Sequence, residues 1–298
     1  MCCIWINIFV AAISERPISP SNLSGKGGVS LPGMKEHSKA VAQSIPSPVI
    51  EYVTRPTQVS MSDGYFNLGS LEHFWVRRRF EVFQKLAGEL IGSARETAEI
   101  GCGHGLLQRQ VELAYGREVT GFDLNENGLK HNLSQRSRVI CYDVYQREEA
   151  FRARFDLIFL WDVLEHLQDE DSFLQAVGFH LAPGGKFVFN VPAGRWAFSG
   201  YDTAAGHFRR YSAQSFFAVM QRNALEVTTW TYWGLPLTPT LLFRKLWLPR
   251  ERGNSRSYAT GFGKGSGVVN GLLRAASKLE VIPQRIIGTS LMAVVLQK

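Results

Sequence analysis

The fold is decided by one stretch of the sequence, Ala98-Glu99-Ile100-Gly101-Cys102-Gly103-His104-Gly105-Leu106-Leu107. A short strand pattern leads into a turn with three alternating glycines, and a helical pattern follows. Glycine lets the backbone adopt positive φ and approach a ligand, and the next helix begins with unpaired N–H groups. The spacing is G-x-G-x-G, unlike the G-x-G-x-x-G of dinucleotide enzymes, because position 106 is leucine. The stretch therefore predicts a strand, turn and helix that bind a small ligand.

Two further predicted strands also end in an acid. Asp123 closes Val119-Thr120-Gly121-Phe122-Asp123, 24 residues after Glu99, and Asp143 closes Val139-Ile140-Cys141-Tyr142-Asp143. A carboxylate at the first position can accept both ribose hydroxyls, and one at the second can accept an adenine amino group. Acids at three successive strand ends suit a cationic ligand with an amino group, a ribose and an adenine better than a dinucleotide diphosphate.

The chain from Thr97 onward alternates short β-branched runs with helical stretches, which is typical of a parallel sheet covered on both faces. The predicted strands are 97–101, 118–123, 139–143, 155–161, 185–191, 225–231 and 290–297. The predicted helices are 105–115, 125–133, 169–181, 212–222, 239–248 and 267–280.

Residues 97 to about 192 resemble the class I S-adenosylmethionine-dependent methyltransferases, in particular their ubiquinone-biosynthesis-like branch. Four features carry the resemblance, in order: Glu99-x-Gly101-x-Gly103-x-Gly105, the acid Asp123, the segment from Phe155 to Glu165-His166, and the turn Leu181-Ala182-Pro183-Gly184-Gly185-Lys186. The resemblance implies an α/β, Rossmann-like, seven-stranded and mostly parallel sheet with helices on both faces. Strand seven would be antiparallel, and residues 233–288 would form a helical insertion between strands six and seven.

The resemblance also implies S-adenosylmethionine as cofactor, in a site between Glu99 and Glu165. Glu99 and the backbone of Gly101, Gly103 and Gly105 would hold the methionine part, Asp123 the ribose, and Asp143 would lie near the adenine. The predicted cofactor set is completed by Leu124, Val144 and Trp161. Glu165 and His166 also fit a solvated strand end.

Residues 194–211 form a connection too long for an ordinary loop, and such connections tend to be lids or binding loops. The tract ends in Gly-His-x-Arg-Arg-Tyr and resembles a bacterial methyltransferase subgroup found beside glycan-assembly enzymes. We expect it to close over the acceptor, with His207 as the base and His166 or Asp202 as competing candidates. The candidate acceptor contacts are Arg195, Tyr201, Arg209, Arg210 and Tyr211. A basic surface loop is the alternative reading.

The N-terminal part of the chain differs in composition. Residues 16–60 are rich in Ser, Pro, Gly and Val without periodicity, so residues 1–60 are predicted to be a disordered extension before a domain at 61–298. Translation from Met61 is an alternative. The apolar opening at 1–13 lacks the positive flank of a signal peptide and is too short to span a bilayer.

The formal net charge of +7 among 298 residues favours an anionic partner. Four cysteines without a C-x-x-C pair indicate a reducing compartment, and no metal site is predicted. Nucleic acid is not predicted, because no zinc module or extra basic domain is present. The insertion carries Phe243, Trp247, Arg244 and Lys245 on a predicted helix, which would pack on the core or lie in a membrane interface. The prediction is a cytoplasmic protein with possible peripheral contact at the inner face of the membrane.

The predicted reaction is methyl transfer from the sulfonium to an oxygen or nitrogen of a small-molecule, glycan or lipid-linked acceptor. Such a displacement depends mainly on alignment, and a base helps when the acceptor is a hydroxyl. Two alternatives stay open: a methyltransferase-like protein without catalysis, and a nicotinamide oxidoreductase, which the glycine spacing disfavours.

Overall fold

A computed structural model describes residues 48–57, 71–239, 271 and 275–298. The predicted helix at 239–248, with Phe243 and Trp247, lies outside these residues except for its first position, as do residues 1–47 and most of 267–280. Positions 275–278 are helical. No helix within the described residues is long and apolar enough to cross a membrane.

The described residues contain one sheet of eight strands in the order β1-β4-β3-β2-β5-β6-β8-β7. The strands are β1 Ile50–Tyr52, β2 Thr97–Ile100, β3 Thr120–Asp123, β4 Val139–Cys141, β5 Phe155–Trp161, β6 Leu181–Pro192, β7 Leu225–Trp233 and β8 Ser290–Gln297. Neighbouring strands are parallel, except that β8 is antiparallel to both β6 and β7. The predicted Rossmann-like architecture is confirmed, including the antiparallel last strand.

Helices cover both faces of the sheet. They are α1 Phe74–Ala87, α2 Glu89–Ser93, α3 Leu106–Tyr115, α4 Glu126–Lys130, α5 Glu170–Gly178, α6 Gly200–Ala204 and α7 Ala213–Arg222. One core packs Phe216 of α7 against Phe187 and Phe189 of β6. The other packs Phe83 of α1 against Phe159. The central strands therefore bury apolar side chains on both sides, as parallel strands in α/β folds do.

The prediction of seven strands and of a disordered extension through residue 60 is wrong at β1. Ile50–Tyr52 pairs in parallel with Val139–Cys141 at the edge of the sheet. Arg138 donates from Nε to Oε1 of Glu51 at 2.9 Å and from Nη2 to Oε2 at 2.6 Å. A three-residue strand is too short to show a periodic pattern of apolar residues. Its pairing with β4 stabilises it, although its composition does not predict a strand.

Element boundaries differ from prediction where local geometry is irregular. β6 begins at Leu181 and not at 185, with a register shift against β5 between Phe155 and Leu157. Ser212 caps α7 as its sequence position suggests, since its Oγ accepts from the backbone N–H of Ser215 at 3.1 Å.

Candidate functional site

The glycine turn between β2 and α3 lies at the carboxyl end of the parallel strands. Gly101, Gly103 and Gly105 have φ of 79°, 51° and 71°, which side chains other than glycine rarely adopt. A Cβ at Gly105 would lie 2.3 Å from Oδ1 of the buried Asn132. The turn therefore requires glycine for its own backbone as well as for access to a ligand.

The acids of β3 and β4 lie beside this turn. Asp123 accepts from the backbone N–H of Gly103 at 2.7 Å and from that of Asn125 at 2.8 Å. Burial raises its pKa, and these backbone hydrogen bonds oppose the rise. Asp143 accepts from the backbone N–H of Tyr145 at 3.0 Å, and its own N–H donates to Oγ1 of Thr54 at 2.8 Å. Asp123 and Asp143, which the resemblance assigns to the ribose and the adenine, are thus both held by backbone N–H groups.

Two of the remaining predicted cofactor residues also lie here. Leu124 is half-buried, and its carbonyl accepts from the N–H of Thr57 at 3.1 Å. Val144 is buried next to Asp143. Sequence reasoning missed the contribution of residues 54–57, because it assigned them to the disordered extension.

Glu99 is a buried acid without enough partners. Its residue is 4% exposed, and its Oε2 has no hydrogen-bond partner among the described residues. Burial raises its pKa to about 8, against the lowering effect of Arg79. A buried carboxyl oxygen with an unmet acceptor, next to a glycine turn, fits a ligand that carries an ammonium group. This observation supports the predicted methionine end of the cofactor site.

Arg79 of α1 is a site residue that sequence reasoning missed. Its Nη1 contacts Oδ2 of Asp162, and its guanidinium lies over the ring of Trp161 at 4.7 Å from the centroid. Asp162 has φ of 55° and accepts from Nδ2 of Asn190 at 2.6 Å. Nε1 of Trp161 is buried without a partner among the described residues. α1 therefore brings a buried cation to the same sheet edge as Glu99.

The three candidate catalytic residues meet in one cluster after β5. The rings of His166 and His207 are edge to face, with centroids 4.7 Å apart. Nδ1 of His207 lies 3.1 Å from Oδ1 of Asp202. The N–H of Phe208 donates to the carbonyl of Glu165 at 2.8 Å, which joins the two segments. The sequence proposed His207, His166 and Asp202 as competitors, and the structure places them together.

Asp202 is fully buried and anchors this cluster. Its Oδ2 accepts from the N–H of Ser199 at 2.9 Å, and its Oδ1 accepts from Nε of Arg210 at 2.6 Å. A carboxylate oxygen can only accept a hydrogen bond, so Nδ1 of His207 carries the proton that it donates to Oδ1 of Asp202. Nε2 of His207 then keeps its lone pair. Asp202 is therefore placed to orient His207.

The segment 194–211 contains regular secondary structure. It contains the turn Arg195–Ala197 and helix α6, whose first turn is capped reciprocally by Ser199 and Asp202. Its ends are tied by a bridge between Ala193 and Tyr211. The segment thus contains regular structure and brings His207 to the end of β5, while its closure over an acceptor stays a prediction.

The five predicted acceptor contacts lie in different surroundings. Arg210 is buried and donates to Asp202 and to the carbonyl of Ala193 at 3.1 Å. Tyr211 is buried and donates to Oε1 of Glu170, while Nη1 of Arg209 lies 2.6 Å from Oε2 of Glu170. Tyr201 is also buried, and Arg195 is exposed. Arg210 and Tyr211 therefore use their polar groups in hydrogen bonds within the protein.

Burial dominates the electrostatics of the cluster. It lowers the pKa of His166 to about 3, helped by the neighbouring His207, and it lowers the pKa of His207 against the effect of Asp202. It raises the pKa of Glu165 well above the usual range, with Asp162 adding to the rise. Both imidazoles are therefore neutral near pH 7.

A family model described as a methyltransferase domain matches residues 73–231, more than half of the chain. The chain belongs to this family of methyltransferase domains, and the predicted class, a class I S-adenosylmethionine-dependent methyltransferase, is confirmed. The fold, the glycine turn and the buried Glu99 fit S-adenosylmethionine as its cofactor.

Two curated relatives show how far the likeness extends. The chain is 35% identical over 119 residues to the ubiquinone biosynthesis O-methyltransferase of Bordetella avium, covering 38% of this chain and 48% of that protein. It is 31% identical over 160 residues to a probable S-adenosylmethionine-dependent methyltransferase of Mycolicibacterium smegmatis, covering 52% and 61%. The matches thus span about half the length of these relatives.

Solved structures with a similar arrangement include a methyltransferase from Archaeoglobus fulgidus, with a TM-score of 0.46 and 16% identity, covering 74% of this chain and 94% of that one. Another is a phosphoethanolamine N-methyltransferase of Haemonchus contortus in complex with S-adenosyl-L-methionine, with a TM-score of 0.49, 18% identity, and coverage of 79% and 57%.

Proposed function

We propose that the protein transfers the methyl group of S-adenosylmethionine to a hydroxyl oxygen of a small-molecule or lipid-linked acceptor. The observation that carries this proposal is the cluster of His166, His207 and Asp202 at the end of β5, the strand beside the one that bears Glu99. A hydroxyl must lose its proton as it is methylated, whereas an amine can attack through its lone pair. Buried neutral imidazoles with an orienting carboxylate suit the first case.

The reaction needs the sulfonium, the methyl carbon and the acceptor oxygen in line. Glu99 and the glycine turn would hold the methionine part of the cofactor, with its ammonium near the unpartnered Oε2. Arg79 lies close enough to Glu99 to lower its pKa and would meet the cofactor carboxylate. Asp162 raises the pKa of both Glu99 and Glu165, so the cofactor end and the histidine cluster share one neighbour.

S-adenosylmethionine would supply the methyl group to the acceptor oxygen, and the sulfur would keep the electron pair of the broken bond in S-adenosylhomocysteine. The proton of the acceptor hydroxyl passes to Nε2 of His207, the ring nitrogen that Asp202 leaves free. The curated relative of Bordetella avium is named an O-methyltransferase, which also favours oxygen. Arg195, the exposed cation of the 194–211 segment, would meet an anionic group of the acceptor.

A lipid-linked acceptor is favoured by a second observation. Leu279, Val281 and Ile286 are 85%, 74% and 82% exposed with respect to the described residues, and Lys278 and Arg285 lie beside them in the chain. Apolar and basic side chains together suit an anionic membrane surface. Such a surface would bring the enzyme to a lipid carrier.

The acceptor is identified by comparing metabolites and lipids of a deletion strain with those of its parent. The expected result is a compound one methylene lighter in the deletion strain, which the purified protein methylates with S-adenosylmethionine. His207→Ala should lower turnover by about 100-fold or more while cofactor binding stays unchanged. Full turnover by His207→Ala would contradict its role, and methylation of an amine would contradict the assignment to oxygen.

A further inference from the structure

The polar atoms of Glu165, His166 and His207 point to a function beyond proton transfer. One ligand atom from each side chain lies within 4.8 Å of the other two. Glu165 is 1% exposed, and its Oε2 has no hydrogen-bond partner among the described residues. Nδ1 of His166 is likewise buried and unpartnered there. Two buried polar atoms without a hydrogen-bond partner among the described residues therefore belong to one cluster with His207.

A buried carboxyl group is stable in its charged form only when a cation or hydrogen-bond donors lie beside it, and Oε2 of Glu165 has no such donor among the described residues. Arg210 lies close enough to lower the pKa of Glu165, and its guanidinium donates to Asp202 and to the carbonyl of Ala193. The neighbouring histidines are neutral and present lone pairs rather than charge. A small cation that accepts several lone pairs would therefore suit this cluster.

We infer that Glu165, His166 and His207 bind a divalent first-row transition metal ion. Two imidazoles and one carboxylate that leave further positions open are a ligand set that such ions accept, and Mg²⁺ prefers oxygen ligands throughout. With bonds of about 2.1 Å, tetrahedral ligand atoms lie about 3.4 Å apart. Ligand atoms that lie within 4.8 Å of one another would reach this spacing through small side-chain rotations.

Asp202 is placed to orient His207 as a metal ligand. A histidine that binds a metal through one ring nitrogen commonly donates from the other to a carboxylate, which fixes its tautomer and its orientation. Nδ1 of His207 lies 3.1 Å from Oδ1 of Asp202, and the second oxygen of Asp202 is held by Ser199. Nε2 of His207 is therefore the ligand atom, and Asp202 is a positioning residue.

The inference rests on the proposed function and changes one part of it. With the ion bound, the acceptor oxygen takes an open position on the metal, which lowers the pKa of its hydroxyl. Its proton leaves to solvent before the methyl group transfers, and His207 holds the metal instead of taking the proton. The sequence missed the site because the ligands come from two segments about 40 residues apart, with no short spacing to mark them.

The test uses the full chain, purified without a polyhistidine tag, stripped with chelator and titrated with Co²⁺. Visible absorption bands of low-coordinate Co²⁺ should appear and saturate at one ion per chain. Glu165→Gln and His207→Gln should abolish these bands, and Asp202→Asn should weaken Co²⁺ binding by about 10–100-fold. His131→Gln is the matched control, because His131 is exposed on the surface after α4.

Binding of S-adenosylmethionine, measured by calorimetry on each variant, checks folding and keeps the two proposals separate. Wild type that binds the cofactor but shows no Co²⁺ bands would overturn the metal site and leave the methyltransferase intact. Bands that persist in His207→Gln would also overturn it. If chelated wild type keeps full turnover, the proton transfer to His207 stands and the metal does not.

Discussion

At the scale of single residues, the spacing of the glycine motif and the strand ends predicted two acids of the candidate cofactor site but not its arginine. Glu99 and Asp123 follow from a strand, a turn and a count of residues. Arg79 does not, because Arg77, Arg78 and Arg79 look alike in the sequence and only packing separates them. Arg77 pairs with the exposed Glu72 and Arg78 with the buried Glu280, so Arg79 alone of the three contacts Asp162.

The protonation of Glu99 gives a prediction about cofactor binding. Its pKa of about 8 means that the carboxyl is mostly protonated at pH 6–7 in the free protein. The cofactor ammonium requires the carboxylate, so binding should release a proton, and affinity should rise by up to about tenfold from pH 6 to pH 7. Calorimetry in buffers of different ionisation enthalpy measures that release.

Glu99→Gln should remove both the proton release and the pH dependence, and it should weaken binding by about 10–100-fold. Glu118→Gln is the control, because Glu118 is exposed just before β3. The range below pH 7 keeps the cofactor's own amino group charged. Proton uptake, or an affinity that does not change with pH in the wild type, would contradict the assignment.

At the scale of elements, Glu112 of α3 holds the segment that leads into β4. Its carboxylate accepts from the backbone N–H groups of Gln135, Arg136 and Ser137 and from Oγ of Ser137. Burial would raise its pKa, but these hydrogen bonds outweigh it and lower the pKa to about 2. A depressed pKa means that this stabilisation is present above the unfolded value near 4.5 and is lost as the pH falls toward 2.

Glu112→Gln should therefore lower the free energy of unfolding by about 2–3 kcal/mol at pH 7. The difference in the free energy of unfolding between wild type and variant should narrow as the pH falls from 5 toward 3. In this range Glu112 takes up a proton in the unfolded chain before it does so in the folded protein. Urea unfolding at several pH values measures this, with Glu118→Gln as an exposed control. An equal loss at pH 7 and at pH 3 would show that shape rather than charge is responsible.

β1 gives a second prediction at this scale, through two truncations of the same chain. Removal of residues 1–47 leaves β1 in place, whereas removal of residues 1–60 strips its pairing with β4 and the contacts of Thr54 and Thr57. The shorter deletion should keep the Tm of the full chain. The longer one should lower it by about 5 °C, since each kcal/mol is worth about 2–4 °C at this size.

Cofactor affinity should fall only in the longer deletion, because Asp143 and Leu124 lose their partners there. Equal Tm values and equal affinities for both truncations would mean that β1 does not contribute. The case also shows the limit of sequence reasoning about elements. Strands with a core on both faces can be predicted from their apolar composition. β1 is instead stabilised by its pairing with β4 and by the ion pair of Glu51 with Arg138.

At the scale of the whole molecule, the class of fold was predictable because each strand and helix from Thr97 to Trp233 has its own local pattern. The histidine cluster was predictable only in part. His166 lies at the end of a strand, but its approach to His207 depends on how α6 and its capping pair Ser199 and Asp202 fold the 194–211 segment. Contacts between separated segments have no signature in one sequence.

The net charge of +7 and the exposed apolar residues near the C-terminus lead to the last prediction. Leu279, Val281 and Ile286 are exposed with respect to the described residues, and the guanidinium of Arg285 lies 5.1 Å from the ring centroid of Trp230 nearby. Apolar side chains alone bind any bilayer weakly, and basic residues add about 1 kcal/mol each near an anionic surface. Together they should give binding that depends on both lipid charge and salt.

In flotation assays, the full chain should therefore rise with vesicles that contain phosphatidylglycerol and remain behind with phosphatidylcholine alone. Added salt should reduce binding, because screening shortens the reach of surface charge. The double variant Val281→Ser and Ile286→Ser should lose most of the bound fraction while it still binds S-adenosylmethionine. Leu113→Ser is the matched control, since Leu113 is 63% exposed on α3. Equal recovery with and without anionic lipid would contradict membrane contact and direct the search for the acceptor to small molecules.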